Sequence, residues 1–239
     1  MKPTFAVALQ YHPTDRAAAM RLVELIARFE YEANPLVLFL LCRRFDAEYI
    51  PDATVYQLAK KFAVDNYQTK TQARGWPDGC NAMAIDVLRE INHRRTHDAQ
   101  WTNVSGVLLM EPDCIPVSRF WLPTIQTRWE VAQAADEETA RPWLMGAWRD
   151  GGGEHGHING NMVVRPDFAE KVDLSRLPPG LAWDCAIVPQ VREHWLPVPL
   201  IDNRWNERGL SSYEIMKKGA VLVHGVKDES VWNHVSQIA

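Results

Sequence analysis

"FAVALQYHPTDRAAAMRLVELIARFEYEANPLVLFLLCRRFD", residues 5–46, decides the fold class. Phe5 to Leu9 is a short apolar run of strand length, ending in Gln10-Tyr11-His12-Pro13. Thr14 then offers an N-cap to a helix whose apolar residues Ala19, Leu22, Val23, Ile26 and Phe29 recur with the helical period. Leu36 to Cys42 is continuously apolar, as a strand covered on both faces must be, and it stops at Arg43-Arg44-Phe45-Asp46. Strand, amphipathic helix and buried strand make a βαβ unit. The expectation is an α/β protein with a mostly parallel sheet flanked by helices.

The same alternation runs outward from this unit. A less regular stretch leads to "RGWPDGCN" at 74–81, a Gly/Pro turn feeding a helix striped by Ala84, Val87, Leu88 and Ile91. The strand Val104 to Met110 stops at Glu111-Pro112-Asp113, and a helix with Leu122, Ile125, Trp129 and Ala132 follows, Pro123 in its first turn. The second half is richer in loops. It predicts a strand around Trp143 to Trp148, the loop 151–160, a strand at Asn161 to Val164, a segment from Trp183-Asp184 broken near Pro189, and a last strand, Ala220 to Val223. A boundary near 114 divides one domain, 1–239, into halves that share one continuous sheet.

The chain has 239 residues and a mass of 27.3 kDa, with 46% hydrophobic and 23% charged residues, which is room for a sizeable core. A net charge of -4 supplies no global attraction for nucleic acid or an anionic membrane. The longest apolar run, Leu36–Cys42, is too short to span a bilayer, and Phe5–Leu9 is too short for a signal-peptide core. Cys42, Cys80, Cys114 and Cys185 stand far apart, without the spacing of a zinc site or disulfide framework. These features predict a soluble, cytoplasmic protein with no membrane or protein partner indicated. Ten tryptophans either fill the core or form stacking surfaces.

Glu111-x-Asp113 directly follows a buried strand. Open parallel sheets bind ligands at the carboxyl ends of their strands, and two carboxylates there can share one hard cation such as Mg or Mn. The alternative is a surface turn. His224 follows another apolar strand, with Gly225 and Lys227 close behind; imidazole suits Mn, and lysine neutralises phosphate.

"VLLMEPDCIP" resembles the D-x-D region of GT-A glycosyltransferases, with Glu in place of the first Asp. "HINGNMVVRPDF", "LAWDCAIVPQV" and "VLVHGVKD" resemble, in order, the segment those enzymes place near donor sugar and acceptor, their acidic acceptor-side motif and their C-terminal histidine segment. The likeness runs from residue 5 to about 228. It implies a single GT-A domain, with a Rossmann-like nucleotide-binding half at 1–113 and an acceptor-binding half at 114–239. It implies Mn2+ or Mg2+ held by Asp113 and His224, with Glu111 on ribose or in the outer shell. It implies a nucleotide-sugar donor, UDP-linked first of all, contacted by Gln10, Tyr11, His12, Arg44, Asp46, Gly75, Trp76, Gly79, Asn81 and Lys227. His157, Asn159, Gly160, Asn161 and Trp183 would meet donor sugar or acceptor. Asp184 would be the general base, which inverts the anomeric centre; its plainer reading is a helix N-cap.

His155-x-His157 in the glycine-rich loop reads as a lid over the donor rather than a metal site. Arg89, His93, Arg94, Arg95 and His97 read most simply as a solvated helix face. They and Lys60-Lys61 are also where DNA would lie if the acceptor were a hydroxymethylated base, since the compact chain is similar to phage-type glycosyltransferases acting on such bases. A saccharide acceptor is the alternative. A nucleotidyltransferase would carry a glycine-rich loop where Leu9-Gln10-Tyr11-His12-Pro13 stands. A non-catalytic carbohydrate-binding module would favour a β-sandwich over a βαβ opening, and a nucleic-acid-binding protein lacks its recognition motif.

Overall fold

The computed structural model describes residues 2–149, 157–216 and 219–238. In chain order it contains β1 Phe5–Tyr11, α1 Arg16–Phe29, β2 Val37–Arg43, α2 Asp52–Ala59, β3 Ala63–Gln68, α3 Asp78–His97, β4 Gly106–Met110, β5 Cys114–Pro116, α4 Trp121–Gln133, β6 Leu144–Gly146, β7 Trp148–Arg149, β8 His157–Ile158 and β9 Val163–Val164. It continues with α5 Phe168–Lys171, α6 Trp183–Ala186, α7 Val188–Val191, β10 Trp195–Pro197, β11 Ile201–Asn203, α8 Ser212–Met216, β12 Leu222–His224 and α9 Ser230–Ile238.

The main sheet has the order β10-β6-β9-β4-β1-β2-β3. The β1, β2, β3 and β4 pairings are parallel, and β9 alone runs antiparallel, between β4 and β6. Alternation along each central strand builds a core on either face. Phe5, Val7, Leu9 and Tyr11 pack with Phe39, Leu41 and the buried stripe of α1, while Ala6, Ala8, Leu38 and Leu40 pack with Val87, Leu88 and Ile91 of α3. The βαβ reading of residues 5–46 and the mostly parallel sheet flanked by helices are therefore both correct.

A smaller sheet, β11-β12-β5, packs its Ile201, Leu222, Val223 and Ile115 into the α1-side core. Its pairing sets Asn203, His224 and Cys114 side by side. The halves thus share the main sheet, but β5 and β12 leave it to form this second layer, which the continuous-sheet reading did not contain. Thr14 does not cap α1: a 3-10 turn over Pro13–Asp15 comes first, and the Thr14 hydroxyl lies 2.9 Å from His12 Nδ1.

Trp101, Trp121, Trp129 and Trp183 are buried, so the core accounts for much of the tryptophan content. Gly106 opens β4 where the Trp129 indole crosses it, with Nε1 donating to the Ser105 carbonyl at 3.0 Å. A Cβ at 106 would collide with the Trp129 indole. Gly106→Ala is expected to cost about 1–3 kcal/mol by overpacking, read as a lower urea midpoint at unchanged m. An unshifted midpoint would mean that the indole moves freely.

Candidate active site

β4 ends at Met110, and the turn that follows projects Glu111 and Asp113 from the carboxyl end of the sheet. The smaller sheet brings His224, at the end of β12, against the same turn. The Gly225 N–H donates to the Asp113 carbonyl at 3.4 Å, tying the end of β12 to this turn. Glu111, Asp113 and His224 each present a ligand atom, and these atoms lie within 4.8 Å of one another. His224 Nε2 is 3.0 Å from Glu111 Oε2 and 3.2 Å from Asp113 Oδ1. The imidazole is only 3% exposed, yet Nε2 makes no well-directed hydrogen bond. A buried nitrogen aimed between two carboxylates, without a proper hydrogen-bond partner, fits a divalent cation with mixed O and N ligands.

Burial alone would lower the His224 imidazole, but the contacts and charges of Asp113 and Glu111 outweigh it and push it up to about 9. Burial alone would raise the Asp113 carboxyl, but His224 and then Lys227 hold it well below the usual carboxylate range. Lys227 Nζ donates to Asp113 Oδ2 at 3.0 Å.

Two asparagines, expected at the sugar, hydrogen-bond to Glu111 and His224. Asn161 is fully buried; its Oδ1 accepts from Glu111 N–H at 2.8 Å, and its Nδ2 donates to Glu111 Oε2 at 3.2 Å. Asn159 Oδ1 accepts from both Asn161 N–H and Nδ2 at 2.9 Å, which turns its own Nδ2 towards His224 Nδ1, 3.2 Å away. Their amides are occupied by protein groups, as residues fixing the orientation of a metal ligand are.

Three more of the expected residues are also engaged by protein groups. The Asn81 Nδ2 donates to the Leu181 carbonyl and its Oδ1 accepts from Trp183 N–H, both at 2.8 Å, so it ties the start of α3 to α6. Trp183 is 7% exposed and belongs to the α3-side core rather than to a stacking surface. Gly79 does give a close approach, but to its own chain, where a Cβ would meet the Arg74 carbonyl carbon at 2.7 Å.

Asp184 does not cap α6, whose N-cap is Ala182. Its Oδ2 accepts from Gly160 N–H at 3.1 Å. Burial raises its carboxyl, opposed by the positive field of His157 and helped by Glu111. Asp184 and Gly160 are bonded, and the charges of His157 and Glu111 act on Asp184, so these four residues share the candidate cleft. Cys80, on the first turn of α3, reaches it as well. Burial first of all raises its thiol, and the charges of Glu111, Asp15 and Asp184 add to the rise against Arg44. Nothing in the sequence pattern had marked Cys80. His155 and residues 151–156 of the glycine-rich loop lie outside the described residues.

The first-half residues cluster beside this cleft, in varied states. Tyr11 is buried in the core, its hydroxyl 3.4 Å from the Glu48 carbonyl, and offers no free ring face. Gln10 is partly exposed, and His12 pairs with Asp15 at 2.6 Å. Arg44 grips Asp46 at 2.6 Å, Arg74 approaches the same carboxylate at 3.4 Å, and Gly75 and Trp76 are exposed. The basic run is elsewhere. α3 starts at the cleft and extends over 20 residues, so Arg89 to His97 occupy its far half, up to about 30 Å away. Arg94 is bound to Asp65 and Glu90, and Arg95 to Glu170. Lys60 and Lys61 precede β3, at the amino end of the sheet.

No protein-family model matches the chain, and no curated protein matches its sequence. Solved structures match its fold. The bifunctional glycosyltransferase WbbM superposes with a TM-score of 0.59 at 9% identity over 99% of this chain, which spans only 50% of WbbM. A glycosyltransferase involved in glycosylating the major capsid of PBCV-1 gives 0.55 at 11% identity, covering 99% of this chain and 98% of its own. The galactosyltransferase LgtC, in complex with donor and acceptor sugar analogues, gives 0.51 at 8% identity over 98% and 95%. The chain has the GT-A type fold expected from its motifs. Among the described residues no helix is long and apolar enough to cross a membrane.

Proposed function

We propose that the protein is a metal-dependent glycosyltransferase that moves a sugar from a nucleoside-diphosphate donor, UDP-linked first of all, to a hydroxyl of a saccharide acceptor. The observation that carries this reading is the Glu111–Asp113–His224 group at the carboxyl end of β4 in a GT-A type fold, with His224 Nε2 buried between two carboxylates. Manganese or magnesium bound there supplies Lewis-acid charge to a departing diphosphate. Asp113 and His224 hold that ion, and Glu111, whose Oε2 lies 3.0 Å from His224 Nε2, belongs with them rather than out on ribose. Lys227 adds positive charge for the diphosphate oxygens. Gln10, His12, Arg44, Asp46, Gly75 and Trp76 form the wall for base and ribose. Asp184 takes the acceptor's proton, a task suited to a carboxylate whose affinity for protons burial has raised. A saccharide is favoured over a hydroxymethylated base in DNA because the basic groups that would hold DNA lie away from this cleft.

The test is calorimetric titration of UDP and GDP into the protein with and without manganese. UDP is expected to bind when manganese is present and to fail when it is chelated. If neither nucleotide binds with the metal, the reading is overturned. Asn161→Ala is expected to weaken manganese binding by about 10–100-fold, because Glu111 loses both of its anchors. Manganese affinity equal to wild type would show that Glu111 needs no bracing.

A further inference from the structure

Lys227 has two calls on its charge. The proposed function wants the ammonium at the diphosphate, yet it sits on a candidate metal ligand, where Nζ donates to Asp113 Oδ2 at 3.0 Å. The other oxygen, Oδ1, faces His224 Nε2 at 3.2 Å. Both oxygens of Asp113 are therefore engaged by the protein's own donor or cationic groups. A divalent ion held among Glu111, Asp113 and His224 would have this ammonium bonded to one of its ligands, and positive charges so close repel each other strongly in a partly buried site.

The surroundings hold the lysine there without locking it. Its backbone is fixed, since Lys227 N–H donates to the Glu207 carbonyl at 3.1 Å. Two residues earlier, Gly225 takes φ +85 and packs so close to Trp205 that a Cβ would stand 3.0 Å from its Cα, an approach that requires glycine. The Trp205 ring, 6.0 Å from that of His224, lies 4.2 Å from Nζ and supports it through a cation–π contact. Neighbouring carboxylates are taken: Glu207 pairs with Arg204 at 3.0 Å, and Asp228 accepts from Gly209 N–H and the Ser230 hydroxyl, both at 2.6 Å. Asp113 is thus the counter-ion of Lys227. The lysine side chain is 34% exposed and rides on a flexible four-carbon stem, so it can leave Asp113 for a stronger anion within reach. A diphosphate is such an anion.

We infer that Lys227 is a charge gate on the metal group: it holds Asp113 against a divalent ion and releases it to the donor's diphosphate, so that metal and nucleotide promote each other's binding. The inference rests on the glycosyltransferase reading and deepens it by naming what couples the two ligands. A residue with this role acts with opposite sign in two binding steps. Lys227→Met keeps most of the stem and removes the charge. Calorimetry is expected to show manganese alone binding about tenfold tighter than to wild type, because a nearby repulsion is lifted, and UDP binding about tenfold weaker to the manganese-loaded protein. Lys227→Arg, which keeps the charge, is expected to hold manganese affinity within about twofold of wild type. A urea midpoint shows that each variant is folded. Manganese affinity unchanged or lowered in folded Lys227→Met overturns the gate, as does tighter manganese binding with UDP affinity unchanged. Equal tightening in Lys227→Arg would trace the gain to shape rather than charge and overturns it too. If no form binds manganese, gate and metal site fall together. Wild type that binds manganese but not UDP removes the transferase reading, whereas tighter manganese binding by Lys227→Met in that case keeps the lysine's opposition to the ion.

Discussion

Asp113→Asn is expected to abolish manganese-dependent UDP binding, with manganese affinity falling by at least about 100-fold, since losing even a bracing residue around a metal costs 10–100-fold. The substitution keeps the side chain's shape and removes its charge. In the wild type one carboxylate oxygen faces His224 at 3.2 Å and the other takes the Lys227 ammonium at 3.0 Å. An amide in that place presents a donor to one of two groups that are themselves donors or cations. Lys227 is left without its carboxylate, in a site whose positive charge then opposes a divalent ion. Calorimetry with manganese, followed by UDP, checks the outcome, and a urea midpoint confirms that the variant is folded. A folded variant that binds manganese and UDP as tightly as wild type would sink the metal assignment.

The second large effect is expected at Asp184. Asp184→Asn keeps an oxygen able to accept from Gly160 N–H but cannot take a proton from an acceptor hydroxyl. Turnover is expected to fall by about 10²–10⁴-fold, the usual contribution of a positioned base, with UDP–manganese binding unchanged. A base must be deprotonated to act. Because burial first of all raises the Asp184 carboxyl, the acid limb of kcat/KM in the wild type should lie at higher pH than for an ordinary aspartate, activity being lost as pH falls through that limb. That limb should vanish in the variant. A base acting in a single displacement also yields a product of inverted anomeric configuration, which NMR of the product reads directly. Retained configuration, or a variant with full turnover, removes Asp184 from the role.

How far the sequence could be read depended on burial. α1, α3 and α4 were legible because one face of each is apolar at the helical period, and β2 and β4 because a strand covered on both faces is apolar without interruption. β3 was not: "AVDNYQ" is an edge strand with only Tyr67 buried, so it carries no run to recognise. α2 buries only Thr54 and Leu58 and was equally silent. β9 is a two-residue strand whose direction depends on neighbours contributed by residues 107–108 and 144–145. In the site, the acidic pair was visible because it stands at the end of a legible strand. The bracing role of Asn159 and Asn161 was hidden, since their partners lie 65 and 50 residues away. Asn81 misled for the same reason, its partners being 100 and 102 residues distant.

By itself, then, the sequence determined the layered α/β architecture and the strand ends where carboxylates and an imidazole emerge. Both follow from local periodicity, because a helix or strand buries the face its own residues make apolar. Only the tertiary structure decided which polar groups meet. It moved β5 and β12 into a second sheet that carries His224 to Glu111 and Asp113. It engaged three asparagines with protein groups far away in the chain, and it set Trp205 against Gly225 beside His224. A side-chain hydrogen bond or a stacked ring depends on where a distant segment lands, and no spacing along the chain encodes that distance.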